Sequence, residues 1–435
     1  MVGVIRIFDC FCTLLLMICV TMCLWGEEVM PLADFPEFGS PCAVTGGEHD
    51  HFLANYFGIN AWSPDNRYLI VLETDIKDRL PDGEPCTIGL VDLQDGNRFI
   101  PVTTTRCWNF QEAAMAHWLP WAKDVFVFND VREGVFSAVV INWKTKEERV
   151  LKGLPVSAVS EDGEWAISIN YARLFLTRPD YGYYGDGQDP RKTVVFPEDD
   201  GLWLVNMRTG VSRLILSIAA TKDLVPKVGP SGMSYYCHTV ISKDFSRVYF
   251  LSRSVEQSME GVKKSKGTNW QTTAFTCNLD GTEVRRCFPD GWGSSHFNWK
   301  PNLSKHDAAT MVVTCKWLDR IYTHVEFTVG EENFVRQVGG RMMGFDGHCI
   351  YSPDGKFVSS DGYFDRTHFM RNWKILRLAD NAVRHVGTFF VPEVYRDIYC
   401  RCDLHPRWRP DGKQIGFNSV HEGTRQVYVM DIVNR

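Results

Sequence analysis

The chain has 435 residues, 44% hydrophobic and 13% aromatic, enough to bury a large core in one or several domains. Its formal charge of −6 gives no basis for a nucleic-acid partner or for adhesion to an anionic membrane surface. An acidic sugar polymer stays open as a ligand, provided cations cluster locally or a metal supplies positive charge.

The first element in the chain is a leader. Arg6 precedes the apolar run 11–25, and Gly26-Glu27-Glu28 follows it. A run of about fifteen residues suits a signal-peptide core, whereas a spanning helix needs roughly 20. The expectation is a signal segment over 1–26 and export to the periplasm or the extracellular space. No stable membrane insertion is expected after cleavage, and an uncleaved anchor is the alternative. Val20-Thr21-Met22-Cys23 is an imperfect lipoprotein site, because Met replaces the small residue before Cys. Four of the 14 cysteines lie in this leader, and the other ten are scattered with no CxxC pair. Cys400 and Cys402, one residue apart, have poor geometry for a shared disulfide, and no metal site is expected on the cysteines.

From residue 27 onward one unit recurs: a strand ending in an aromatic, a Pro-Asp-Gly-like turn, then a second alternating strand. Clear copies are Ala61-Trp62-Ser63-Pro64-Asp65-Asn66, Tyr351-Ser352-Pro353-Asp354-Gly355 and Trp408-Arg409-Pro410-Asp411-Gly412. Weaker copies are Trp118-Leu119-Pro120, Ser160-Glu161-Asp162-Gly163, Ile241-Ser242-Lys243-Asp244 and Trp299-Lys300-Pro301-Asn302. Pro and Asp preset tight turns, and the flanking period-2 alternation marks half-buried strands. A later strand closing on a polar turn follows each opening, so seven openings alternate with seven closings. Units of this length with three or four strands are propeller blades. Residues 27–435 are therefore expected to form one all-β, seven-bladed β-propeller.

The histidines fall in register with these turns. His238 lies five residues before Lys243, His296 five before Pro301, His348 five before Pro353 and His405 five before Pro410. The same offset in the first three units gives Ile59, Met115 and Val156. The strand before this turn is the innermost of a blade, so equal offsets place side chains at one height around the channel. Four imidazoles from consecutive blades are expected to line an arc of one mouth. Neutral imidazoles suit a divalent transition metal, and two of them with a carboxylate leave positions open for substrate. Asp403, Asp346 and Asp361 are the nearby carboxylates. Asp403 and His405 are two apart, which on a strand puts them on one face.

The repeat resembles the TolB-type propeller, whose hallmark is the W-S-P-D-G turn. The stretches 347–355 and 404–412 further resemble the oligogalacturonate lyases, seven-bladed propellers with a histidine-rich metal site at one channel mouth. That resemblance implies metal ligation by His348 and His405, manganese as the metal, and an acidic oligosaccharide as substrate. It puts His296 in the place of the catalytic histidine, with β-elimination at a uronic acid as the reaction. Arg253, on the second strand of blade four, is the best-placed arginine, as carboxylate clamp or base; a solvent-facing strand charge is its other reading. Which of His238 and His296 does chemistry stays open. The family carries a glutamine shortly before its last-blade histidine, where this chain reads Arg401-Cys402-Asp403-Leu404, which makes Asp403 the substitute ligand.

Two further motifs stand apart. His49-Asp50-His51-Phe52 and Tyr56-Phe57-Gly58 precede the first turn and are expected to reach the same mouth. The loop Tyr181-Gly182-Tyr183-Tyr184-Gly185-Asp186-Gly187 offers tyrosines for stacking on sugar rings, or is a packed surface excursion. The competing function is a non-catalytic TolB-like propeller that binds a protein or an envelope polymer. No GxSxG nucleophile motif is present, which sets aside the propeller of a serine peptidase.

Overall fold

The computed structural model describes residues 33–184, 189–256, 270–317, 321–330 and 335–433. The leader 1–26 and the loop residues Gly185, Asp186 and Gly187 lie outside the described residues. The chain divides into Met1–Phe35 and Pro36–Arg435, and the second unit is the propeller.

Seven four-stranded antiparallel sheets follow one another along the chain. The innermost strands are Asp50–Leu53, His117–Trp118, Val156–Val159, Met233–Ile241, Phe297–Trp299, Gly347–Tyr351 and Arg407–Trp408. Blade seven takes its outermost strand from the other end of the chain: Cys42–Ala43 pairs with Val429 and Tyr428 of Gln426–Asp431. The ring is thus closed by the N-terminal side of the propeller.

The recurrent turn is held by its own serine. Ser63 Oγ donates to Asp65 Oδ1 at 2.5 Å and accepts the Tyr68 N–H at 2.9 Å. The same pattern joins Ser160 to Asp162 and Trp165, Ser242 to Asp244 and Arg247, and Ser352 to Asp354 and Phe357. This local satisfaction explains why the turn chemistry is legible even where Pro is absent. The aromatic before the turn reaches across to the preceding blade. Trp118 Nε1 donates to Ala61 O and Trp299 Nε1 to Val240 O, while Trp62 packs on Gly416 of blade seven.

Blade one departs from the expected unit. Its inner strand runs Asp50–Leu53, with Leu53 opposite Val71, and resumes only at Trp62, opposite Leu69. Residues 54–61 therefore stand opposite Ile70 alone and are pushed into the channel. Blades two, four and seven carry a smaller break at the aligned position, where Met115, His238 and His405 have φ of 49°, 52° and 46°. Left-handed backbone at a non-glycine residue costs on the order of 1 kcal/mol, and such bulges re-aim a side chain. His296 and His348 have no positive φ, so equal offsets give equal heights but not equal poses.

The ten cysteines in the described residues are all unpaired, Cys400 and Cys402 included. No helix among the described residues is long and apolar enough to cross a membrane.

The blade contact at Gly416 gives a test. A Cβ at this position meets Trp62 Cη2 at 2.8 Å, and the indole is fully buried. Gly416→Ala is expected to destabilise the propeller by about 1–3 kcal/mol through overpacking. The denaturant midpoint measures this, and Trp62→Phe in the same chain should recover part of the loss.

Candidate functional site

The site begins with Asp361, fully buried on strand Phe357–Gly362. Its Oδ1 accepts the His348 backbone N–H at 2.9 Å and lies 2.8 Å from His348 Nδ1. Its Oδ2 accepts the His405 N–H at 3.1 Å. Burial opposes ionisation of Asp361, but the adjacent His348 more than offsets it, and the pKa is lowered. With Nδ1–H donated to this carboxylate, His348 turns its Nε2 lone pair toward His405, whose Nε2 is 3.1 Å away. One carboxylate therefore sets the poses of two imidazoles from two blades.

Asp403 completes a compact group: one ligand atom each from His348, Asp403 and His405 lie within 4.8 Å of one another, all buried. Two nitrogens bound side by side to one ion at roughly 2.1 Å would be about 3 Å apart, as these are. Imidazole and carboxylate donors also suit a divalent transition metal. The residues fit such an ion, but Asp403 is heavily engaged elsewhere. Arg371 Nη2 lies 2.6 Å from Oδ1 and Arg401 Nε 2.8 Å from Oδ2. Burial resists its ionisation, yet the two guanidiniums hold its pKa well below the carboxylate range. Residues 401–406 form no strand, so period-2 alternation is not the reason that Asp403 and His405 converge. The turn at His405 brings them together.

His296 continues the arc, its ring centroid 4.2 Å from that of His348. Its Nδ1 lies 2.9 Å from Asp346 Oδ1, which also accepts from Thr314 Oγ1 at 2.6 Å. Asp346, two residues from His348 in sequence, thus serves the histidine of the neighbouring blade. Burial holds the His296 pKa below its usual value. The neutral ring with Nδ1–H on Asp346 leaves Nε2 as the acceptor for the Tyr363 hydroxyl, 3.4 Å away.

His238 stands apart from the other three, across Tyr56. The phenol is stacked on His238 at 5.4 Å and lies edge-on to His405 at 5.3 Å. Phe57 covers His296, His348 and His405 at 5.5, 5.0 and 6.0 Å. The Tyr56-Phe57-Gly58 motif does reach the histidines. It arrives as the inserted segment of blade one, fastened by Arg407, whose guanidinium donates to Asn55 O and His405 O. The His49-Asp50-His51 motif does not reach them. Asp50 accepts from Tyr395 Oη and Arg425 N, and His51 meets Glu73 and Gln426, locking blade one to blade seven.

Arg253 is buried and faces this site, so the solvent-facing reading is wrong; Nη1 lies 3.3 Å from His238 Nε2. It lines a cavity of about 1120 Å³ together with Tyr56, His238, His296, Asp346 and Tyr363. Arg178, Arg253, Lys316, Arg366, Arg371, Arg396 and Arg401 bring seven cations to its wall against four carboxylates, Asp180, Asp290, Asp346 and Asp397. The cavity is therefore cationic in a chain that is acidic overall. His348 and His405 are absent from its wall, lying deeper beneath Tyr56, Phe57 and Tyr363. The expected arc exists, but two of its four imidazoles are sealed below the mouth.

Several residues here carried no sequence signal of their own. Tyr363 follows Asp361 by two positions, which was the available clue. Arg401 donates to Gln111 Oε1 and to Tyr181 Oη, drawing blades two and three to the last blade. The aromatic loop divides its tasks: Tyr181 faces His238 edge-on at 4.8 Å, Tyr183 stacks on Tyr171 inside, and Tyr184 is exposed.

Fold and site together define a class: a seven-bladed propeller with histidine–carboxylate pairs around its channel, under a cationic cavity. No protein-family model matches the chain, and no curated protein matches it. Among solved structures, an oligogalacturonate lyase in complex with manganese aligns with a TM-score of 0.60 at 17% identity, over 93% of this chain and 97% of its own. An oligogalacturonate lyase from Vibrio parahaemolyticus aligns at 0.58 and 15% identity, over 93% and 98%. At these identities the shared property is the fold, the one expected from the repeats.

Removing the Asp361 carboxyl leaves three buried N–H donors unpaired. Asp361→Ala is expected to cost about 3–5 kcal/mol. Asp361→Asn, which keeps one acceptor oxygen, should cost less, and urea unfolding of both variants measures the difference.

Proposed function

We propose that the protein is a lyase that cleaves acidic oligosaccharides by β-elimination at a uronic acid, with a divalent metal, manganese, held by His348, His405 and Asp403. The observation that carries this reading is the neutral, Asp346-oriented His296, whose Nε2 meets the Tyr363 hydroxyl on a cavity wall where cations outnumber carboxylates. A divalent ion on His348, His405 and Asp403 would supply positive charge beneath the cavity, the chemistry that acidifies a C–H next to a uronate carboxylate.

The residues of the chain then divide the work. Arg253 clamps the substrate carboxylate, and His238 holds Arg253 through Nε2. His296 Nε2 takes the proton from the carbon next to the carboxylate, the C–H pair forms the new C=C as the β C–O bond breaks, the departing sugar oxygen takes a proton from solvent, and Asp346 stabilises the imidazolium that results. Tyr363 and Tyr56 close the far side of the cavity and limit water around the base. The signal segment expected over 1–26 supports the periplasm or the extracellular space as the setting of this activity. The fold shared with the oligogalacturonate lyases supports galacturonate oligomers as the first substrates to try.

Purified protein is expected to hold one equivalent of divalent metal, lost in His348→Ala with His405→Ala, by elemental analysis. Incubation with galacturonate oligomers should build the ultraviolet absorbance of a conjugated, unsaturated uronate. His296→Ala should slow that reaction by about 10²–10⁴-fold with the fold intact. Neither metal nor absorbance in the wild type would leave the non-catalytic propeller as the better reading.

The pH dependence has a definite sign. His296 works as the neutral base and its pKa is lowered by burial, so the rate should persist below the usual histidine range. It should fall only at more acid pH, as Nε2 is protonated. A kcat/KM profile that already declines near the ordinary histidine value would remove His296 from the base role.

A further inference from the structure

The two oxygens of Asp403 are held very differently. Oδ2 accepts from Arg401 Nε at 2.8 Å. Oδ1 is buried and has no hydrogen-bond partner, although Arg371 Nη2 lies 2.6 Å away. Arg371 Nε is likewise without a partner, and its Nη1 reaches only the Gly362 carbonyl at 3.4 Å. The contact at Oδ1 is therefore one of charges without an aligned N–H, and this oxygen keeps a lone pair for a metal ion.

The charges around the three donors are already matched. The carboxylates of Asp361 and Asp403 stand against the guanidiniums of Arg371 and Arg401, and Arg407 adds a third guanidinium on the His405 carbonyl. Asp180 approaches Arg401 to 3.7 Å, but both of its oxygens accept from Arg178. Asp361 has no capacity to spare, because its oxygens are taken by two backbone N–H groups and the His348 ring. Arg371, on strand Met370–Arg377, is 1% exposed, so water screens its charge little.

A divalent ion on Oδ1 would share that oxygen with a guanidinium and leave a buried group with two positive charges in excess. Buried charge without a counterion is strongly unfavourable. The neutralising group has to be an anion from outside the chain, and the way in is open, because Arg371 and Arg401 both line the cavity.

We infer that Arg371 and Arg401 tune this site so that a divalent ion and a carboxylate-bearing ligand bind as a pair, each raising the affinity of the other. This rests on the ligand set given under Proposed function. The ligand-free site still takes the ion, and the anion tightens it. Both arginines act through Asp403, so they are positioning residues. A neutral sugar of the same shape brings no charge to the pair and gains nothing from the ion, so the charge count itself selects for uronates.

Equilibrium dialysis of the full chain against Mn²⁺ tests this, with digalacturonate, its uncharged counterpart galactobiose, and acetate as probes. Wild-type affinity for Mn²⁺ should rise about 10–100-fold with saturating digalacturonate and stay constant with galactobiose. Acetate should shift it in the same direction at higher concentration. By linkage, Mn²⁺ must raise the affinity for digalacturonate by the same factor, which calorimetry reads. Arg371→Met keeps a long buried side chain and removes the charge. It should bind Mn²⁺ alone at least about tenfold more tightly than the wild type and lose most of the coupling. Arg371→Lys, which restores the charge, should follow the wild type. Mn²⁺ affinity that ignores both digalacturonate and acetate in the wild type overturns the inference and leaves the metal site standing. Undiminished coupling in Arg371→Met also overturns it, and if that variant does not fold, the wild-type comparison decides. Coupling to acetate without coupling to digalacturonate supports the inference and counts against the proposed substrate. Absence of Mn²⁺ binding in the wild type and in Arg371→Met removes the ligand set, and the inference with it.

Discussion

The Asp361 carboxylate is the contact on which the site depends. It accepts from the backbone of two blades and from one imidazole, so the join between blades six and seven and the facing of His348 and His405 are a single arrangement. A buried carboxylate is tolerable only when its oxygens are filled, and here the donors that fill them are the residues to be positioned. His296 has a comparable partner in Asp346, but that carboxylate sits in the link before the strand Gly347–Tyr351 and orients one ring only.

Charge around the channel is organised by depth. Beneath the cavity the carboxylates Asp361 and Asp403 outnumber nothing: each is matched by N–H donors or by Arg371 and Arg401. On the wall above, the cations exceed the acids. Arg371 and Arg401 belong to both layers, so with Asp403 counted the positive excess on the wall is small. Such an excess attracts an anion without requiring net positive charge on the protein.

What was legible in the sequence was whatever a tight turn makes local. The Ser–Asp turns fix strand phase, so the blade count and the histidine register could be read from spacing. The residues that failed were those whose direction depends on backbone departing from the repeat. Asp403 and His405 converge through irregular chain with a left-handed residue, and not through strand alternation. Tyr56 and Phe57 announced themselves as a motif, but only the long insertion opposite Ile70 carries them to the channel. Arg253 was half legible: its strand was clear, but its side could not be decided until the facing residues were in place.

The closure of blade seven bears on how the molecule reaches its folded state. Cys42 pairs with Val429, so the last blade draws on both ends of the propeller, while each of the other six is built from contiguous chain. Loop-closure entropy grows only logarithmically, each doubling of length costing about 0.6 kcal/mol, so the join is modest in free energy. Its weight is in time. Six blades can form as the chain emerges, but the circle must wait for the final strands, and until then blades one and six leave uncovered the faces that blade seven packs against.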